Sequence, residues 1–521
     1  MSNGLSKTIT SRYARLFLLG ALMLIAVPAA SLAQDAAQVL RVSVGFGTLK
    51  NTATMSDQTK AEVDRLQRLA QEANAGKRYG DALKHMYRGM ALMRGEEWTP
   101  AKAFAASLTV KVERAMLEPS QPVSVHIGQL FQLDEKVSGN VSGGIALKAD
   151  ETAPPIKMLQ SLDGPLADYY AKPYDASLMI PDVADGNYRI SVSFKPAAGD
   201  AVTKSIPIRI ERGLAAKVAA AKKKAAGIES MLKARKKDAL LSSTATAEYQ
   251  IGLYDLASAG EINFQRINFS DVLSKADAML DAIAGGADPL APRRGDFKKA
   301  YRSKVDDTLQ PYRLFVPASY DGSKALPLII ALHGMGGDEN SYFDGYNNGA
   351  FKTEAESRGY IVACPKGRNP ASMYSGTAEN DVMDVLAEMQ RAYKIDSERV
   401  YLTGHSMGGF GTWSVAINHP DVFAALAPIA GGGNPTDIPK IAHIPALVVH
   451  GDDDKTVPVM RSRTMVAAEK QAGAEVKYIE VPKGSHISIV VPTFKDVFEW
   501  FDAHKKKAVD AKAAAASQGK Q

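Results

Sequence analysis

Residues 404–413, GHSMGGFGTW, decide the fold that this sequence predicts. They follow the short apolar run VYLT, which is typical of a buried strand, and they lead into a segment that suits a helix. Gly-x-Ser-x-Gly between a strand and a helix is the pattern of a sharp turn that lifts the Ser406 hydroxyl clear of a sheet. Glycine is needed at Gly404 and Gly408, because a Cβ in so tight a turn would collide with its neighbours. The pattern therefore predicts Ser406 as a nucleophile and the Met407 N–H as a donor to an oxyanion.

The same pattern also arises by chance in a chain with 42 glycines, where it marks only a glycine-rich turn. Further stretches in a fixed order favour the catalytic interpretation. Residues 326–332, LPLIIAL, form a near-continuous apolar run that predicts a strand buried on both faces. The run ends in HGMGG at 333–337, a loop that predicts a second oxyanion donor, the N–H of Met335.

Two more stretches follow downstream. Residues 446–450 predict another buried strand, and the adjacent aspartates Asp452, Asp453 and Asp454 come directly after its end. A carboxylate in such a place orients a catalytic imidazole and stabilises its positive form, but spacing alone does not choose among the three. His486 then ends the segment KGSH, so that a serine, an aspartate and a histidine occur in the chain order of one known type of triad.

Residues from about 312 to about 505 resemble α/β-hydrolase esterases of the polyhydroxyalkanoate-depolymerase and feruloyl-esterase type. They are also similar to the catalytic domain of prolyl-oligopeptidase-like enzymes. The matching pieces are YRLFVPASY, LIIALHGMGG, ERVYLTGHSMGGFGTW, APIAGGG, HGDDDKTVP and GSH. In the family's His-Gly-x-x-Asp-x-x-Val-Pro motif the catalytic acid is the fifth residue, so the resemblance selects Asp454. It implies a serine esterase with the triad Ser406, Asp454 and His486.

The surrounding pattern predicts an α/β class, a doubly wound and mostly parallel sheet over residues 293–506. Helices are expected near 378–392, 406–418, 460–472 and 493–504. They alternate with strands at Leu314, Leu326, Ile361, Val400, Leu426, Leu447 and Val476. In such sheets the site lies at the carboxyl ends of the strands. No His, Asp and Glu spacing of the His-Glu-x-x-His kind occurs, so we predict no metal and no other cofactor.

Residues 1–33 carry the features of a cleavable secretory signal. Lys7, Arg12 and Arg15 precede an apolar run at 16–27, and small residues precede a cleavage site before Gln34. The run is shorter than the roughly 20 residues of a membrane span, which disfavours the alternative of an uncleaved anchor. We therefore predict a periplasmic or secreted protein without stable membrane insertion.

Charge and cysteine content limit the possible partners. The formal net charge of +6 falls to +3 without the three basic residues of the predicted signal, which is too mild to indicate a nucleic-acid partner. The single cysteine, Cys364, allows no internal disulfide, and its apolar surroundings predict a buried core thiol.

The first half of the chain changes its periodicity twice. Residues 34–107 are predicted to be helical, with a hairpin over 56–93 that Ser56 opens. Residues 108–212 alternate with period two, most clearly at 123–127, 187–194 and 206–210, and predict a small immunoglobulin-like β-sandwich. About a hundred residues are too few for a propeller, which counts against a full prolyl oligopeptidase.

A helical connector is predicted over residues 213–292. Its basic tract at 214–241 is alanine- and lysine-rich, and we interpret it as one solvated helix because its apolar face is too thin for a membrane surface. A second helix follows at 269–283, and residues 507–521 predict a flexible tail.

The sequence supports three functions in descending order. The first is an exported serine hydrolase that cleaves carboxylic esters, small or polymeric, through an acyl-enzyme. The second is a serine peptidase of the prolyl-oligopeptidase-like type, and the third is a non-catalytic binding protein on a hydrolase scaffold. Tyr374 and Trp413 are candidates for lining the substrate pocket, with core packing as the alternative for Trp413. Oligomeric state and the natural substrate are not defined by the sequence.

Overall fold

The computed structural model describes residues 36–135, 137, 139–196, 201–291 and 293–506. The predicted signal at 1–33 and the predicted tail at 507–521 lie outside these residues. Among the helices in the described ranges, none has both the length and the apolar character that crossing a membrane requires.

The chain begins with a group of four helices. Their bounds are α1 Ala36–Thr52, α2 Asp57–Ala75, α3 Tyr79–Met93 and α4 Pro100–Ser107. The predicted hairpin is confirmed as α2 and α3, and the Ser56 side chain accepts a hydrogen bond from the Thr59 N–H at the start of α2. Helix α1 was not predicted, because its valines and glycines are poor helix formers. It is held by packing instead, since the ring of Phe46 lies directly over Gly89 of α3.

Nine strands follow and form two sheets. Their bounds are β1 Leu108–Val112, β2 Met116–Leu117, β3 Pro122–Gln129, β4 Asn140–Lys148, β5 Pro155–Ser161, β6 Gly164–Pro165, β7 Tyr174–Met179, β8 Gly186–Pro196 and β9 Val202–Ile210. One sheet has the order β1-β3-β7, and the other has the order β2-β9-β8-β4-β5 with β6 paired to β4. The two sheets bury one common core, to which Val125 contributes from one side and Ile145 and Phe194 from the other.

Residues 214–284 form a three-helix bundle of α5 Leu214–Ala234, α6 Asp238–Ser258 and α7 Phe269–Ala284. The prediction of one solvated helix over 214–241 is wrong. The helix ends before Lys236, which has a positive φ of 52°, and α5 buries Val218, Ile228 and Leu232 against its neighbours. The basic side chains occupy only the outer face, so the apolar stripe is thin but sufficient to pack against two other helices.

The remaining chain is an α/β unit with eight strands. Its strands are β10 Gly295–Arg302, β11 Leu309–Val316, β12 Leu326–Leu332, β13 Ile361–Pro365, β14 Ile395–His405, β15 Ala425–Ile429, β16 Ala446–Gly451 and β17 Val476–Val481. The sheet order is β10-β11-β13-β12-β14-β15-β16-β17, with antiparallel pairing at β10-β11 and β11-β13 and parallel pairing from β13 to β17.

Helices cover both faces of this sheet. They are α8 Ala350–Arg358, α9 Thr377–Ala392, α10 Met407–Asn418, α11 Met460–Gln471 and α12 Phe494–Ala503. One core contains apolar residues of α9, α10 and α11, and the other contains Phe351 of α8 and Phe494 and Phe498 of α12. The predicted doubly wound α/β-hydrolase fold is therefore confirmed. Cys364 is buried in β13 as a free thiol, as its surroundings predicted.

Helix α6 joins the bundle to the α/β unit. The hydroxyl of Thr246 accepts a hydrogen bond from the Ala300 N–H at 3.1 Å and donates to the Ala300 carbonyl at 3.3 Å. Ser242 donates to Glu388 at 2.7 Å. Because polar residues of α6 are buried at this contact, the helix lacks a single apolar stripe, and its sequence did not predict it.

A buried carboxyl on α11 gives the fold a testable pH dependence. Glu469 is fully buried, and neither of its carboxylate oxygens has a hydrogen-bond partner among the described residues. Burial raises the pKa of Glu469 to about 8 from its ordinary value of 4.5. The unfolded chain therefore releases this proton first, and the free energy of unfolding falls as the pH rises from 4.5 to about 8.

We expect Glu469→Gln to lessen this loss of stability by a few kcal/mol, since the amide does not ionise. Urea unfolding at about pH 5 and about pH 8 measures the difference between the two conditions. The exposed Glu499 of α12 provides the control, Glu499→Gln. Equal pH slopes for wild type and Glu469→Gln would contradict the prediction.

Candidate active site

Ser406 lies in the turn between β14 and α10. Its backbone has φ 58° and ψ −118°, a conformation that residues with a side chain rarely adopt. A Cβ added at Gly404 would overlap the backbone of Gly408, and one added at Gly408 would overlap the carbonyl of Leu332 at the end of β12. The two glycines thus permit the close approach that holds Ser406 at the carboxyl edge of the sheet.

The structure brings Ser406, His486 and Asp454 into one hydrogen-bonded line. Nε2 of His486 lies 2.8 Å from Oγ of Ser406, and Nδ1 of His486 lies 2.7 Å from Oδ2 of Asp454. Of the three adjacent aspartates, Asp454 alone is buried. Asp452 accepts a hydrogen bond from the Lys483 N–H, and Asp453 pairs with Lys455 on the surface.

The carboxylate of Asp454 is held in its ionised form. Burial favours the neutral acid, but hydrogen bonds from His450, His486 and the Val457 N–H outweigh it and hold the pKa of Asp454 well below its usual range. Oδ1 accepts the N–H groups of Thr456 and Val457 at 2.8 and 2.9 Å. A fixed negative charge therefore faces Nδ1 of His486 at neutral pH.

Two further histidines position this line, and sequence reasoning did not assign roles to them. Nε2 of His450 lies 3.2 Å from Oδ2 of Asp454 and 2.9 Å from the Val457 carbonyl. His405 donates from Nε2 to the backbone carbonyl of His486 at 2.9 Å, and its Nδ1 accepts from the Tyr346 hydroxyl at 2.9 Å.

Burial, reinforced by the nearby His486 ring, lowers the pKa of His405 to about 4, so His405 is neutral under ordinary conditions. The neutral ring suits its contacts, because one nitrogen donates and the other accepts. Both histidines adjoin sequence motifs already quoted, HGDDD and GHSMG. Their partners belong to distant segments, so the motifs alone did not reveal the contacts.

The loop at 333–337 runs beside the nucleophile. A Cβ built on Gly334 would lie 3.4 Å from Cβ of Ser406, which places the backbone of this loop in contact range of the site. The Met335 side chain is exposed, and Met407 is the first residue of α10. The first N–H groups of a helix lack intrahelical partners, so the Met407 N–H is available to an oxyanion.

The two predicted substrate-lining residues lie in the core. Tyr374 and Trp413 are both fully buried, and the Tyr374 ring packs against Gly367 and Gly411. The prediction that they line a substrate pocket is therefore wrong. Tyr374 acts as a support, since its ring also contacts His333 edge-on at 5.6 Å between centroids. Within the described residues, no group of three potential metal ligands occurs.

Comparison with known proteins identifies esterases. A family model described as PETase, PET hydrolase-like, matches residues 377–511. A bifunctional acetylxylan esterase/xylanase of Neocallimastix patriciarum is 34% identical over 25% of this chain and 19% of its own length. A probable feruloyl esterase C of Aspergillus terreus is 30% identical over 28% of this chain and 56% of its own length.

A poly(3-hydroxyalkanoate) depolymerase C of Paucimonas lemoignei is 32% identical over 20% of this chain and 28% of its own length. The chain thus spans from about a fifth to just over half of these three relatives. The matches confirm the resemblance to esterases of the polyhydroxyalkanoate-depolymerase and feruloyl-esterase type. Together with the sheet order, they describe an α/β-hydrolase unit similar to these enzymes.

We expect Gly408→Ala to destabilise the protein by about 3 kcal/mol or more, because the new methyl group overlaps the backbone of β12. Gly227→Ala is the matched control, since a Cβ at that position in α5 meets nothing within 4 Å. This control is expected to gain roughly 0.5–1 kcal/mol from its better helix propensity. Thermal unfolding of both variants measures the contrast, and a Gly408→Ala protein as stable as wild type would contradict the proposed close approach.

Proposed function

We propose that this chain, with its α/β-hydrolase unit, is a serine esterase that cleaves carboxylic esters with Ser406, His486 and Asp454. The observation that carries the proposal is the continuous hydrogen-bonded line from Ser406 Oγ through both ring nitrogens of His486 to a buried, ionised carboxylate. The esterase relatives support ester substrates in particular.

The geometry suggests the order of proton transfers. Nε2 of His486 takes the Ser406 proton as Oγ bonds to the ester carbonyl carbon, and Asp454 stabilises the imidazolium. The N–H groups of Met407 and Met335 bind the tetrahedral oxyanion. The imidazolium then returns its proton to the leaving alcohol, which leaves an acyl-enzyme. Water attacks this ester by the same route and releases the carboxylic acid and free Ser406.

We further propose that the protein is exported, on the strength of the signal-like sequence at 1–33. Export suits an enzyme whose ester substrate is polymeric and outside the cell. The names of the relatives support this substrate class, since they include an acetylxylan esterase and a poly(3-hydroxyalkanoate) depolymerase. The proposal includes no nucleic-acid partner and no cofactor.

The nucleophile is tested by treating the purified protein with a fluorophosphonate probe while p-nitrophenyl acetate turnover is followed. We expect wild type to be labelled, and Ser406→Ala to lose labelling together with about 10⁶-fold of the turnover. Amide substrates with and without proline, assayed in parallel, test the peptidase alternative. Absence of labelling in folded wild-type protein would favour a non-catalytic binding protein.

The role of the acid is tested by Asp454→Asn. We expect kcat for p-nitrophenyl acetate to fall by about 10⁴-fold at neutral pH, because the amide no longer stabilises the imidazolium or fixes its tautomer. Asp453→Asn is the control, since this neighbouring aspartate pairs with Lys455 on the surface. Comparable losses in both variants would contradict the assignment of Asp454.

A further inference from the structure

A cleft lies between the three-helix bundle and the α/β unit. Its volume is about 810 Å³, within the range of small-molecule and cofactor sites. Helices α6 and α7 and the loop between them form one wall. The other wall comes from β10 and from the loops that follow β12 and β13.

The cleft reaches the loop beside the nucleophile. Gly336 and Gly337 line it, and they belong to the same loop as Gly334, whose backbone lies against Ser406. The Gly336 N–H donates to the carbonyl of Pro370 at 2.8 Å, and Pro370 also lines the cleft. A ligand that fills the cleft therefore ends within two residues of the segment that touches Ser406.

The walls of the cleft are held in place before any ligand arrives. The paired hydrogen bonds between Thr246 and Ala300 join α6 to β10 at the buried end of the cleft, and both partners are buried. A preformed site loses little conformational freedom on binding.

Polar groups dominate the chemistry of the lining. Oε1 of Gln250 is buried, and no hydrogen-bond partner for it occurs among the described residues. Burial, with Glu339 and Asp338 nearby, raises the pKa of Tyr249 well above its usual value, so its hydroxyl stays protonated and can donate. The amides of Asn263 and Asn268 lie on the same wall.

The charges of the lining nearly cancel. Five basic and four acidic residues line the cleft, and two pairs among them are bonded, Lys275 with Asp271 at 2.7 Å and Lys298 with Glu339 at 2.8 Å. A balanced charge gives no general attraction for an anion. Amides, a phenol and paired charges provide many donors and acceptors, which suits a neutral ligand with several hydroxyl groups.

We propose that this cleft binds the alcohol part of the ester substrate, a neutral oligosaccharide chain, with Tyr249 and Gln250 as hydrogen-bonding partners. The inference rests on the proposed esterase function. It makes α6 and α7, which precede the α/β unit in the chain, part of the substrate site.

The kinetic test compares partially O-acetylated xylo-, manno- and cello-pentaose with p-nitrophenyl acetate. We expect wild type to have a higher kcat/KM for at least one pentaose ester than for ethyl acetate. Tyr249→Phe and Gln250→Met should each lower the ratio of kcat/KM for that pentaose ester to kcat/KM for p-nitrophenyl acetate by about tenfold, mainly through KM. Tyr254→Phe is the control, because Tyr254 is on the same helix but packs against Phe269 inside the bundle.

Two kinetic results would overturn the proposal. One is a wild type that hydrolyses p-nitrophenyl acetate but prefers none of the three pentaose esters to ethyl acetate. The other is an unchanged ratio in both cleft variants, with thermal unfolding showing that each is folded.

Calorimetric binding of the unacetylated pentaoses to Ser406→Ala reads the cleft without any turnover, so it distinguishes failure of the cleft from failure of the esterase proposal. We expect saturable binding of at least one pentaose that Tyr249→Phe weakens. Absence of binding by all three, or tighter binding of a pentameric uronic acid, would overturn the assignment of a neutral saccharide.

Discussion

The close approach of Gly408 to the end of β12 is the constraint on which the site depends. Because no side chain fits between Gly408 and the Leu332 carbonyl, α10 begins directly against the neighbouring strand. Ser406 is thereby forced into a positive-φ conformation, which costs of order 1–3 kcal/mol and persists only where the surroundings enforce it. The sheet supplies that enforcement, since the Ser406 N–H donates to the Ile429 carbonyl of β15 at 2.9 Å.

The same constraint determines how the other segments meet. Strands β12, β14, β15 and β16 are neighbours in the sheet, so the loops that follow them converge at one edge. His486 is fixed there twice, at its ring by Asp454 and at its backbone carbonyl by His405. The imidazole therefore needs no rearrangement before it accepts a proton, and preorganisation of this kind is a main source of catalytic power.

Sequence patterns predicted the α/β unit well because its apolar strands and glycine turns encode local structure. The serine, the histidine and, through the family motif, Asp454 were found in this way. Tyr374 and Trp413 were misassigned, since proximity to a motif along the chain does not show which way a side chain points. Helices α1 and α6 were missed because tertiary packing stabilises them, as the contacts of Phe46 and Thr246 show. Such contacts join segments far apart in sequence and leave no local pattern.

Helix α6 has two polar contacts that differ in a way that locates a ligand surface. Thr246, where α6 meets β10, exchanges both of its hydrogen bonds with Ala300. Gln250, one turn further along, leaves Oε1 buried without a partner among the described residues. An unsatisfied buried acceptor costs about 1–3 kcal/mol, so a helix packed only for stability would favour an apolar side chain there. A donor supplied by a bound hydroxyl group removes that cost, and the cleft in front of Gln250 gives such a group its place.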